Sequence, residues 1–241
     1  MKTKPKRNNR PSSLLFTAAT AIPLALATTS QAAVLVGFDG GWSSGGATAT
    51  QSSNGASGSA STTSGQWFPN NDAASTDGTF GTLAGATTAT GPASSGIFVR
   101  QVGGDMQFTI TAGSTALTLE AFHFDAKLRR PSAPDDWSVE VIAGSSITVG
   151  PIGSGTLNTT LGGSPGPADH DDIDIDLTGL PDNQLAAAES ATFQVSFSGG
   201  TAGNNGAQTF FDNVAVSGVP EPSTFSLLAL ALGFAATRRR R

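Results

Sequence analysis

The stretch Leu117-Thr118-Leu119-Glu120-Ala121-Phe122-His123-Phe124 decides the fold class. Large apolar side chains alternate with Thr, Glu and His, the period of two expected of a strand with one buried face. Trp137-Ser138-Val139-Glu140-Val141-Ile142-Ala143 repeats the pattern, and so does Thr192-Phe193-Gln194-Val195-Ser196-Phe197-Ser198. Working outward, shorter strands are expected at 34–38, 147–149, 173–177 and 210–216, and a hairpin at 96–102 and 106–111 turning on Gly103-Gly104. Each run is bounded by Gly, Pro, Asn or Asp. Helical pattern is confined to one short turn at 184–189. Many short strands with Gly/Pro turns predict an all-β chain, a two-layer antiparallel β-sandwich. A first strand pairing with the last would make it jelly-roll-like.

One segment resists this reading. Residues 43–66 contain only Ser, Thr, Gly, Ala, Gln and Asn. Without charge or bulky apolar groups such a run cannot offset its own chain entropy. It is expected to be a surface loop or flexible linker, with a Thr/Ser-rich edge strand or an O-glycosylated segment as alternatives.

Charge is segregated along the 241 residues. Five basic residues open the chain (Lys2, Lys4, Lys6, Arg7, Arg10) and four close it (Arg238, Arg239, Arg240, Arg241). Between residues 33 and 220 four basic residues face 17 acidic ones, a net charge of −13. That balance argues against nucleic-acid binding. The absence of Cys excludes a disulfide framework, a thiolate metal site and a Cys nucleophile.

The two ends read as addresses. A basic start, an apolar run over 14–27 and Ser30-Gln31-Ala32 make residues 1–32 a secretory signal peptide, helical in its apolar part and cut by signal peptidase after Ala32. At the other end Pro220-Glu221-Pro222 precedes an apolar helix over 225–236 and the four Arg. Twelve residues at about 1.5 Å each span about 18 Å, short of a hydrocarbon core of about 30 Å. A marginal span with an Arg stop suits transient insertion in the inner membrane, with the domain facing outward.

The order of tripeptide, apolar segment and terminal Arg cluster resembles the PEP-CTERM sorting signal of Gram-negative bacteria. The resemblance covers 219–241 and implies processing by an exosortase, a membrane transpeptidase-like protease. In that family the processed protein reaches the cell surface or the extracellular matrix of strains that make exopolysaccharide. The domain between the addresses is 33–218. Its front, Val36-Gly37-Phe38-Asp39-Gly40-Gly41-Trp42, and its back, Phe211-Asp212-Asn213-Val214-Ala215-Val216, are similar to the two ends of carbohydrate-binding jelly-roll modules. That likeness implies paired terminal strands and a structural Ca²⁺ at Asp39 and Asp212.

Other chemistry is sparse. Trp67 and Phe68, in a loop beside Pro69, are the aromatic pair expected to be exposed for stacking on sugar rings. Asp172, Asp174 and Asp176 share one face of a strand. Spaced about 6.6–7 Å apart, they cannot close on one ion by themselves and read as a solvated face that blunts an edge strand, with Ca²⁺ binding as the alternative. His123, opposite Phe122 and Phe124, is expected at the surface, and with His170 it makes no zinc spacing. Lys127, Arg129 and Arg130 are expected in a loop, neutralising Asp135 and Asp136. Glu120, Glu140 and Asp136 are candidates for a two-carboxylate glycoside hydrolase, yet they alternate with apolar residues as solvent-facing groups do. The reading is a non-enzymatic exported surface or matrix protein that contacts exopolysaccharide; the alternative is a secreted hydrolase acting on polysaccharide.

Overall fold

The computed structural model describes residues 32–39, 46–63, 67–70, 80, 83, 96–99, 104–158, 170–200 and 208–221. They form strands β1 (Ala33–Phe38), β2 (Gly46–Thr48), β3 (Gln51–Ser52), β4 (Ser57–Thr62), β5 (Trp67–Asn70), β6 (Gly96–Val99), β7 (Gly104–Thr111), β8 (Leu117–Leu128), β9 (Asp136–Gly144), β10 (Gly150–Thr156), β11 (Asp171–Asp176), β12 (Gln184–Leu185), β13 (Ser190–Ser198) and β14 (Thr209–Pro220). No helix occurs among the described residues. The signal helix of 1–32 and the tail helix of 225–236 lie outside them.

Two antiparallel sheets result. The first runs β11-β8-β14-β1-β3, with β12 on β8 and the β5–β6 pair joined through β6 to β14. The second runs β10-β9-β13-β7-β4-β2. The first strand pairs with the last, Ala33 opposite Gly218 and Phe38 opposite Val214, as a jelly-roll-like sandwich requires.

Alternation builds the core between the sheets. Phe38, Phe122, Phe124 and Phe211 face inward from the first sheet and meet Phe108, Phe193 and Phe197 of the second. Ring centroids lie 5.1 Å apart for Phe122–Phe193 and 5.3 Å for Phe38–Phe108, the latter edge-on. Trp137 packs edge-on against Phe124 at 5.5 Å, so it belongs to the core margin. A second, smaller apolar cluster of Val34, Phe80, Leu83 and Ala215 lies apart from this core. Phe80 sits over Gly37, where a Cβ would fall 2.5 Å from the ring.

The segment 43–66 is not the expected loop or linker but follows the edge-strand alternative in part, with β2 and β3 at sheet edges. It carries β2, β3 and β4, and β4 pairs with β7 along its whole length. Its small residues fit because their partners are large. Ala56 and Ala60 join the core, and a Cβ on Gly58 would sit 2.4 Å from Val36 Cγ1. Asn54 and Gly55, at φ of 54° and 74°, turn the chain from the first sheet into the second.

Three other expectations are corrected. The 96–102 and 106–111 runs form no hairpin: β6 joins the first sheet and β7 the second. Ile147 makes only an isolated bridge to Asn183, and the strand starts at Gly150. The turn expected at 184–189 begins as the short strand β12.

Candidate functional site on the outer face of the first sheet

Strand β8 sends Phe122, Phe124 and Ala126 inward and His123, Asp125 and Lys127 outward. Yet the outward three are 0%, 0% and 1% exposed. The expectation that His123 is a surface residue is therefore corrected: alternation placed it on the outer face, and that face is covered. Lys127 likewise lies in β8 rather than in a loop. Arg129 donates to Gln208 Oε1 at 2.7 Å instead of meeting Asp135 or Asp136.

Register then gathers charge. Asp172 of β11 and Asp212 of β14 both stand opposite Asp125, making one rung of three carboxylates across three strands. One rung along, Asp174 and Ala215 flank His123. Directly opposed like charges destabilise a sheet unless something positive lies among them. A β-bulge in β14 sets Asn213 and Val214 against the single residue Phe124, and Asn213 adopts φ 47°. Asn tolerates that left-handed backbone, and its buried amide donates to Asp125 Oδ2 at 2.8 Å.

His123 is held at both nitrogens. Its Nδ1 lies 2.7 Å from Asp174 Oδ1, and its Nε2 lies 3.1 Å from Asp125 Oδ1. The second contact is off the line of a good hydrogen bond, so neither Nε2 nor Oδ1 completes one among the described residues. His170 approaches from the start of β11, with Nε2 3.3 Å from Asp172 Oδ1 and 3.8 Å from Asp125 Oδ2. Burial alone would lower the His123 pKa. The close contact and charge of Asp125, with the hydrogen bond and charge of Asp174, outweigh it and raise the value from 6.5 to about 9. Burial pushes the Asp125 carboxyl above its ordinary range, against the pull of His123.

The sequence missed this convergence because the two His lie far apart in the chain. The legible signal was the pairing of two alternations, His-x-Asp-x-Lys on β8 and Asp-x-Asp-x-Asp on β11. The acidic strand expected to be a solvated face is partly drawn into contact with β8. Its last member, Asp176, instead accepts from the backbone and hydroxyl of Thr178, which lowers its pKa.

The other expected residues are dispersed. Asp39, just past β1, and Asp212 of β14, which belongs to the rung at Asp125, are 4% and 6% exposed, beyond the Phe38–Val214 pair. Trp67 and Phe68 begin β5 rather than a loop, with Trp67 opposite Val99. Glu120 lines a shallow depression of about 320 Å³ with Asp174 and Asp176 outside the first sheet. Glu140 accepts from Gln194 on the second sheet, beyond the core from Glu120. Those two carboxylates cannot flank one glycosidic bond.

The outer face of the second sheet is of a different kind. Thr109–Thr192 at 3.0 Å, Gln107–Gln194 at 3.1 Å and Thr111–Ser190 at 2.7 Å form cross-strand side-chain hydrogen bonds, and Ser196 donates to Asp105 at 2.6 Å.

The end of β14 is the remaining feature. Pro220 stands opposite Leu117, the Glu221 N–H donates to Ala116 O at 2.9 Å, and Thr118 Oγ1 donates to Glu221 Oε1 at 3.1 Å. The tripeptide thus starts inside the sheet, and its first two residues are docked on β8. Pro222 and the four terminal Arg lie outside the described residues.

Residues 218–241 match the PEP-CTERM protein-sorting motif. The motif is a sorting signal of exported Gram-negative surface proteins, handled by exosortase-like enzymes. Comparison with curated proteins finds no match for the chain. Among solved structures the chain is similar to the cleaved adhesin domain of Lys-gingipain from Porphyromonas gingivalis, with 12% identity over 65% of this chain and 89% of that one and a TM-score of 0.35. It is also similar to a carbohydrate-binding module specific for non-crystalline cellulose (10% identity, 51% and 74% covered, TM-score 0.32). A mannan-recognising carbohydrate-binding module follows at 11% identity, 52% and 75% covered and a TM-score of 0.30. At such scores the likeness carries no argument about ligands.

Proposed function

We propose that this PEP-CTERM protein is a non-enzymatic component of the cell surface or extracellular matrix, and that its sandwich domain contacts exopolysaccharide. The observation that carries the reading is the continuity of β14 with the motif. The domain's last strand pairs with its first, so the chain enters at Ala33 and leaves at Glu221 from the same end of the sandwich. A signal peptide ending at Ala32 and a tail beginning at Val219 would hold that one end toward the inner membrane. Signal peptidase and an exosortase-like enzyme would then free or re-attach it. A Ca²⁺ between the buried Asp39 and Asp212 would stiffen the same β1–β14 pair.

We assign the glycan contact to the aromatic pair Trp67 and Phe68 at the start of β5; consecutive strand residues take opposite faces, so one ring of the two carries it. Stacking of an aromatic ring on a sugar ring is worth on the order of 1 kcal/mol, a severalfold change in retention. The full chain is passed over the host's own exopolysaccharide, beside Trp67→Ala and Phe68→Ala. Severalfold weaker retention with an unchanged unfolding midpoint is expected of one of the two variants. Equal retention of all three would overturn the glycan assignment.

A further inference from the structure

The cluster on β8 and β11 has the composition of a metal centre that no sorting role requires. One ring nitrogen of His123, one Asp125 carboxylate oxygen and one Asp172 carboxylate oxygen all lie within 4.8 Å of one another, and Nε2 faces Asp125 Oδ1 at 3.1 Å. His123 and Asp125 are fully buried, and the two atoms that complete no hydrogen bond, Nε2 and Oδ1, are the two that face each other across the cluster. Buried polar atoms of this kind are expected to find a partner. Behind the ring, Nδ1 lies 2.7 Å from Asp174. A carboxylate in that position keeps the proton on Nδ1, the usual support of a metal-bound imidazole, so that an ion arriving at Nε2 displaces the proton held there. Asn213 supports Asp125, gripping Oδ2 and leaving Oδ1 directed at His123.

We propose that His123, Asp125 and Asp172 hold a divalent cation of the zinc class, with His170 as the nearest further nitrogen donor. Zinc bonds of about 2.0–2.2 Å set ligand-to-ligand edges of about 3.3–3.6 Å in a tetrahedron. Among the proposed ligands His123 Nε2 and Asp125 Oδ1 stand 3.1 Å apart and all three donor atoms lie within 4.8 Å, while His170 Nε2 stands 3.3 Å from Asp172 Oδ1, so modest shifts would bring the set to such edges. A nitrogen-and-oxygen set of this size suits zinc. Calcium takes about 6–8 oxygens at longer bonds and would leave the imidazole unused. Asp172 keeps a half-exposed side chain, which gives the ion a way in.

The test is unusually clean because the chain has no Cys and only these two His. The full chain, purified without a polyhistidine tag and stripped with a chelator, is titrated with zinc and, separately, with calcium. Metal content is read by elemental mass spectrometry after desalting. One zinc per chain and a zinc-dependent rise in melting temperature are expected, with no competition from calcium. Asp172→Asn, at a partly exposed position, should fold and lose at least tenfold in zinc affinity; His123→Gln should lose more. Failure to retain zinc, calcium displacing it, or wild-type affinity in both variants would overturn the proposal.

Discussion

On the first sheet the outward row of β8 is His123, Asp125 and Lys127, all buried; on the second the outward row of β13 is Thr192, Gln194 and Ser196, all part-exposed. Both rows alternate with core Phe in the same way. The difference is what covers them. Ionisable groups removed from water need partners placed to within a hydrogen bond, and β8 obtains them from β11 and from the bulge in β14. The hydroxyls and amides of β13 keep access to water and bond their cross-strand neighbours at little cost or gain. Period two therefore states which face a residue takes, and not whether that face is wet.

The largest expected effect lies beneath both rows. Phe124 touches Trp137, Phe197 and Phe211 between the sheets, so Phe124→Ala should cost about 3–5 kcal/mol in urea unfolding. A cost under about 1 kcal/mol would mean that the sheets do not share one core. Next, Asn213→Ala removes the buried donor to Asp125 at a positive φ and should cost about 1–3 kcal/mol. Thr192→Val deletes the partner of Thr109 where water can replace it, and should stay within about 1 kcal/mol. Equal costs at these two positions would erase the contrast between the faces.

The smallest effect is one of pH. Glu189 accepts from Ser146, from Ser145 at 2.7 Å and from the Ala186 N–H at 3.1 Å, and these bonds lower its pKa from 4.5. A carboxyl lowered by folding stabilises the native state above its unfolded pKa, and that contribution is lost as pH falls through the lower native value. Glu189→Gln should therefore be slightly less stable than wild type at neutral pH, and the difference should fade as pH falls below about 4.5, flattening the acid side of the stability curve. Chemical unfolding at a series of pH values reads this directly.

The fold was legible where large and polar residues alternate, at β8, β9 and β13, and in the short apolar runs of β1 and β14. It was hidden in β2, β3 and β4, where no side chain is large enough to declare a face and the bulk comes from Val36 and Phe38 opposite. The supposed hairpin at 96–111 failed because a turn signal does not say whether the next strand joins the same sheet. The sorting motif was legible in full, since it is read from the order of its parts rather than from a folded shape. The cluster at His123 was not, because strand register across three distant segments makes it, and a single sequence does not print register. Trp67 and Phe68 were singled out by residue type alone, and their strand, β5, went unread because Pro69 interrupts it.

The central claim is that this domain is delivered to the surface with both addresses spent. Mass determination of the protein from its native host, fraction by fraction, tests that claim most directly. The account predicts a species beginning at Ala33 and ending between Pro220 and Ser223, found in the outer surface or matrix fraction. A species retaining Arg238 to Arg241 in the inner membrane would contradict it.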